Sequence, residues 1–314
     1  MASLLSSSFR PGERVLGDLR NRITRAATSP FTYAPYPLAN TLDHSGDPGL
    51  FGPDSVSWPL MADIATLVGG IRSLLIQAAH PEVVAGVGDH SRYREDPLGR
   101  LSRTSAYVTA TTYGAMPEVV RAVETVQRIH TSVVGVSSRG VGYDAADPGF
   151  SAWVHNALTD SFLTANQVYG AARLTSAQAD RFVAEQTRVG VLLGADPMPT
   201  TQGGLAHWLA EHPDIGPSPE MTDAVDFLTN PPLEREVRLG YRLLLDAAIS
   251  TLPHRLRSIL GVRPRRQATV VGRSVVSTLR WALGYSPSWK LALIRVGEPV
   301  PPDLFRQDPI TSHS

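Results

Sequence analysis

Nine histidines carry most of the chemistry open to this chain: His44, His80, His90, His130, His155, His207, His212, His254 and His313. Imidazole both ligates metals and exchanges protons near neutral pH. There is no cysteine, and Lys290 is the only lysine. Without thiols, the chain can hold no disulfide, thiolate zinc site, iron–sulfur cluster, Cys-ligated haem or Cys nucleophile. A single lysine all but removes Schiff-base, lysine-base and P-loop chemistry, which need a compact amine. The excess of Arg over Lys reads first as a GC-rich genome. Any metal or metallo-cofactor must therefore be held by His, carboxylate or Tyr.

Position separates the histidines. Val119, Val123, Val126 and Val133 recur at helical spacing, and His130 follows Val126 by four residues on that stripe. His155 lies among Trp153, Val154, Leu158 and Phe162. A histidine on a buried stripe needs a partner for each ring nitrogen, and a satisfied core histidine is the plain reading of both. His207 and His212 flank Trp208 in an amphipathic stretch and read as surface or rim. Arg100-Leu-Ser-Arg103-Thr104 places Arg100 and Thr104 on one helix face with Arg103 beside them. Ion pairing with Glu95 and Asp96 is the plain reading. A cationic rim for a carboxylated ligand is the functional one, since guanidinium forks match carboxylates. His80, Asp89 and His90, with or without His130, are a candidate mononuclear metal set, although no His-x-x-x-His or Glu-x-x-His pair supports it. Gly-x-Ser-x-Gly does not occur, and Gly86-Val87-Gly88 does not follow a strand, so hydrolase and dinucleotide readings fail.

The elements that must position these residues are helical. Leu60, Ile64, Leu67, Ile71, Leu74, Leu75 and Ala78 predict one helix from Ser57 that Pro81 ends, kinked or closely packed at Gly69-Gly70. Asp96-Pro97 starts a helix to about Tyr113, and Pro117 another that ends at Gly135. Asp147-Pro148 starts a helix to Gly170, and Thr175 or Ser176 caps the next, to about Gly194. Further helices are expected around 201–212, 219–229 and 232–250. The 254–285 region is helical and Arg-rich, with Arg255, Arg257, Arg263, Arg265 and Arg266. No long period-2 alternation and no Asn-Gly turn predicts a hairpin.

The 314 residues carry 29 Lys+Arg against 29 Asp+Glu, and this neutrality argues against a nucleic-acid partner. Hydrophobic residues at 42% supply a core. Residues 1–54 read as a loosely structured arm. Its Arg10, Arg14, Arg20, Arg22 and Arg25 interleave with Phe9, Val15, Leu16, Leu19 and Ile23, which predicts a helix packed on the body or, more weakly, a peripheral lipid contact. The core is assigned to 55–250, and 251–314 to a C-terminal helical extension and tail. No segment reaches the roughly 18 apolar residues of a membrane span, and no secretory signal is legible, so a cytoplasmic location is expected.

The order of short motifs adds a resemblance. His80-Pro81, Gly88-Asp89-His90-Ser91, Asp96-Pro97 and Arg100-x-x-Arg103-Thr104 are followed by Arg128-Ile129-His130-x-x-Val133-x-Gly135, Gly142-Tyr143-x-Ala145-x-Asp147-Pro148 and Trp153-Val154-His155. Over about residues 55–250 this order resembles the family that joins the rubber oxygenases (latex clearing proteins) with the fungal oxygenase MpaB. The resemblance implies an all-α, globin-reminiscent fold holding haem b on one proximal histidine, with oxidative chemistry at the iron. The residue it points to as proximal ligand is His130, 26 positions after Thr104; His155 is the competitor. Arg100, Arg103 and Thr104 would contact the haem or the bound oxidant, a hydrophobic molecule would be the substrate, and an electron donor or peroxide would be needed. Rubber oxygenases have lysine where this chain has Arg103, which cannot ligate iron. A non-catalytic haem carrier or sensor, the His/Asp metal protein and a colourless helical interaction module stay open as alternatives.

Overall fold

Four helix starts in this chain are set locally, by a capping oxygen followed by proline. Asp96 accepts from the Gly99 amide at 3.0 Å and Asp147 from the Gly149 amide at 2.7 Å. Ser218 accepts from Met221 at 3.1 Å and Ser286 from Ser288 at 3.3 Å. Each oxygen satisfies an amide that the first helical turn leaves without a partner, and the proline that follows supplies the helical φ.

The computed structural model describes residues 11–308. Phe9, Arg10 and His313 lie outside them, as do the side chains of Arg14 and Val15. The domain is mainly α. Its helices are α1 (Pro11–Thr28), α2 (Ser57–Ala62), α3 (Thr66–Ala78), α4 (Pro81–His90), α5 (Pro97–Tyr113), α6 (Met116–His130), α7 (Pro148–Tyr169), α8 (Ser176–Leu192), α9 (Gln202–Glu211), α10 (Pro219–Thr229), α11 (Arg235–Ser250), α12 (His254–Leu260), α13 (Ala268–Leu283) and α14 (Pro287–Val296). No helix of the described residues is long and apolar enough to cross a membrane.

Helices α3 and α7 form the centre, with α11 and α13 packed on one side and α8 and α9 on the other. Gly69 makes the central contact possible. A Cβ there would meet Phe162 Cδ1 at 2.8 Å and the Ser161 carbonyl oxygen at 3.0 Å. One turn on, buried Arg72 donates to Asp160 at 2.6 Å and to Ser161 Oγ at 2.9 Å. Leu75, Ile76, Trp153, Leu163 and Phe182 fill the surrounding core.

Three expectations are corrected. The helix from Ser57 breaks at Asp63 rather than bending at Gly69-Gly70. Asp63 caps the Ala65 amide at 2.8 Å and holds Arg280 of α13 at 2.7 Å, which ends α2 and starts α3. Helix α6 stops at His130, not Gly135, because Val134–Val136 (β1) pairs antiparallel with Gly142–Asp144 (β2). That hairpin turns through Ser137 and Gly140 without the Asn-Gly signal. Beyond 285, α14 is a further helix. Its fully buried Arg295 donates to Thr41 Oγ1 and the Tyr113 carbonyl, both at 2.6 Å, and so pins the segment before α2 to the body.

Candidate functional site

Two sets of residues carry candidate chemistry. The first is distributed along α5 and α6, which join through the Gly114-Ala115 corner. At about 1.5 Å of rise per residue, Arg100 and His130 each stand roughly 20 Å along their helices from that corner. Arg103 is exposed and pairs with Asp96 at 3.1 Å, so the same carboxylate caps α5 and takes this charge. Thr104 is exposed and donates to the Arg100 carbonyl at 3.0 Å. Arg100 is half-buried, and burial lowers its pKa, with Tyr93 and Arg103 as its charged or titratable neighbours. Its guanidinium makes no hydrogen bond or ion pair among the described residues. Tyr107, one helical repeat further along the same face, has a buried hydroxyl without a partner.

His130 is the last residue of α6, half-buried, with Val119 and Val123 buried below it and Val126 half-buried. Burial lowers its pKa, and the Ala145 backbone opposes the shift. A lowered pKa favours the neutral imidazole, the form that ligates a metal. His155 lies in the core instead. Its Nε2 donates to the Gln186 carbonyl at 2.8 Å, and burial pushes its pKa down to about 4.

The second constellation gathers where α4 begins, α7 begins and α9 ends. His80, 2% exposed, packs its ring against Phe150, Trp153 and His212, with centroids 5.4, 5.6 and 5.5 Å away. Neither of its ring nitrogens makes a hydrogen bond among the described residues. Glu82 stands 3.4 Å from Nδ1, but that carboxylate is committed to Arg139 at 2.6 Å and Ser137 at 2.9 Å. Burial, helped by nearby His212, lowers the His80 pKa to about 4. His212 is half-buried against Trp153 and Trp208, and the exposed Asp214 carboxylate lies 3.9 Å from its Nδ1. Arg255 of α12 holds the Ala210 and His212 carbonyls. These residues border a cleft of about 590 Å³ whose walls include Phe150, Pro197, Trp208 and Pro213.

The structure therefore redraws the metal set expected from the sequence. His80 joins His212 and Asp214, whose ligand atoms all lie within 4.8 Å of one another. His90 instead lies on the exposed hairpin side, its Nε2 3.1 Å from the Val134 carbonyl, and Asp89 accepts from the Tyr143 hydroxyl. His212 is not a plain rim residue, whereas His207 is exposed. The one local signal for His212 is its spacing of four from Trp208 at a helix end.

Residues 58–281 match the family model described as ER-bound oxygenase mpaB/B'/Rubber oxygenase, catalytic domain. The chain belongs to this family. The match begins at Trp58 in α2 and ends within α13, so it takes in both sets of residues. No curated protein and no solved structure gives a match.

Proposed function

We propose that this oxygenase-family protein is a haem-b-dependent oxidoreductase, of oxygenase or peroxygenase type, that acts on a hydrophobic organic substrate with His130 as proximal iron ligand. The observation that carries the reading is the polar face of α5. A half-buried guanidinium without a counter-ion and a buried phenol without a partner are each costly to keep. Both suit an anionic, oxygen-bearing group, which is what haem propionates supply. The neutral His130 ring on the next helix suits the iron.

Haem b, when bound, supplies the one-electron and oxygen or peroxide chemistry that no side chain here provides. The remaining roles belong to the chain. His130 would present one ring nitrogen to the iron, with the Ala145 backbone beside the ring. Arg100 would bind a carboxylate of the cofactor, and Tyr107 would donate its hydroxyl proton to an oxygen on the same face. Thr104 would offer its hydroxyl, now donated to the Arg100 carbonyl, as a hydrogen-bond donor to the cofactor or substrate. Arg103 holds its proton permanently, so it would orient anions and would not ligate iron.

Purified protein titrated with hemin and desalted tests this reading, followed by oxygen-uptake and product assays on a panel of alkenes and isoprenoids with a reductant or peroxide. About one retained haem per chain with turnover is the expected result. Retained haem without turnover would make the protein a carrier or sensor. No retained haem would overturn the cofactor assignment. A Soret band that survives in His130→Ala but is lost in His155→Ala would move the ligand to His155.

A further inference from the structure

We propose that His80, His212 and Asp214 form a second site, separate from the haem assignment, that binds one divalent transition-metal ion and presents it to the Phe150–Trp208 cleft. The three come from distinct elements: the residue before α4, the residue after α9 and the loop that follows. Their ligand atoms lie within 4.8 Å of one another. Nitrogen and oxygen donors at about 2.0–2.1 Å in a tetrahedral site stand roughly 3.4 Å apart, so closing the set takes at most about 1.5 Å of movement. His212 and Asp214 have that freedom, because one is half-buried and the other exposed.

His80 supplies the second, independent observation. It is enclosed by Phe150, Trp153 and His212, yet it spends neither ring nitrogen on a protein hydrogen bond among the described residues. Its nearest acceptor, Glu82, is already taken by Arg139 and Ser137. The orphaned buried nitrogen is Nδ1, on the Glu82 side of the ring; with one ligand nitrogen of His80, a second imidazole and a carboxylate within 4.8 Å of one another, the cluster is the donor set of a borderline ion such as Zn²⁺, Co²⁺ or Fe²⁺. A chain with no cysteine offers no thiolate to the softer metals.

Three protein ligands leave at least one coordination position, the pattern of sites that hold water or a ligand atom rather than purely structural ones. The cleft on that side is walled by Phe150, Pro197, Trp208 and Pro213, and also by Asp147 and Glu211. Two neutral imidazoles and one carboxylate leave the bound ion a net positive charge, while the two wall carboxylates disfavour an anion, so its open position suits a neutral lone-pair donor on a molecule with an apolar part.

The test uses full-length protein with any affinity tag removed, stripped with a chelator and then titrated with Co²⁺ by visible absorption and with Zn²⁺ in competition. One Co²⁺ per chain, displaced by Zn²⁺, is expected. His212→Ala and Asp214→Asn should each weaken binding at least about tenfold, and His207→Ala at the rim should leave it unchanged. The metal should also raise the melting temperature of the parent protein and not that of the two ligand variants, whose folding is checked by circular dichroism. If His212→Ala unfolds, His212→Gln replaces it. Absence of stoichiometric binding, or binding unmoved by both substitutions, would overturn the site. Hemin retention should be unaltered in both variants; its loss together with the metal would show that the two sites are one.

Discussion

Arg100 and Arg103 stand less than one helical turn apart and meet opposite fates. Arg103 reaches the Asp96 carboxylate and water, while Arg100 is half-buried with no ion pair among the described residues. Such a charge lowers stability unless something absent from the chain pairs with it. Arg100→Met should therefore stabilise haem-free protein by about 1–2 kcal/mol and weaken hemin binding. Urea denaturation and hemin titration on the same variant check the pair; a destabilised variant with normal hemin affinity would contradict the account. His155 gives a pH signature. Its imidazole titrates near 4 in the folded chain against 6.5 in the unfolded one, so the unfolded chain binds more protons between those values. Stability is whole above about pH 6.5 and drains as the pH falls toward 4. Between pH 7 and 4.5 the parent should lose about 2 kcal/mol more than His155→Gln does, and parallel pH dependences in denaturant midpoints would refute the assignment. At this scale the sequence was readable where a residue's fate depends on neighbours in the same helix, as with Asp96 and Arg103. Which of two arginines is buried depends on how α5 is rolled against its neighbours, and spacing alone does not report that.

Helix starts were legible because their causes are local: a capping oxygen and a proline fix Asp96-Pro97 and Asp147-Pro148 whatever lies around them. The break at Asp63 was not, since it is stabilised by Arg280, 217 positions away. The apolar period continues through Asp63 as though the helix did. The hairpin after His130 escaped for a related reason, because its strands have three residues each and its turn relies on Gly140. Gly69 shows the opposite case, a pattern read correctly as a close-packing point. Gly69→Val should destabilise by about 2–3 kcal/mol, because the added atoms meet Phe162 and the Ser161 backbone and the core gives way poorly. Thermal or chemical melts check this, and a neutral or stabilised variant would mean that α3 and α7 can separate at no cost.

At the scale of the whole molecule, the ordered motifs carried the family, and the family match over 58–281 agrees with them. The His80–His212–Asp214 cluster was out of reach because 132 positions separate the two histidines and nothing periodic links them. The same holds for Arg295, which ties α14 to Thr41, Asp47 and Tyr113 from the far end of the chain. Arg295→Met should leave Thr41 Oγ1 and the Asp47 and Tyr113 carbonyls short of a donor, cost about 3 kcal/mol, and speed amide exchange across residues 41–55. Unchanged exchange there would show that the segment is held by something else.

The central claim is that His130 holds iron, and chemical rescue tests it most directly. His130→Gly, purified and reconstituted with hemin, should lose its retained Soret band after desalting. Free imidazole added during reconstitution should restore the band, by filling the space the side chain left. A His130→Gly protein that keeps about one haem per chain with the parent spectrum, without imidazole, would contradict the account.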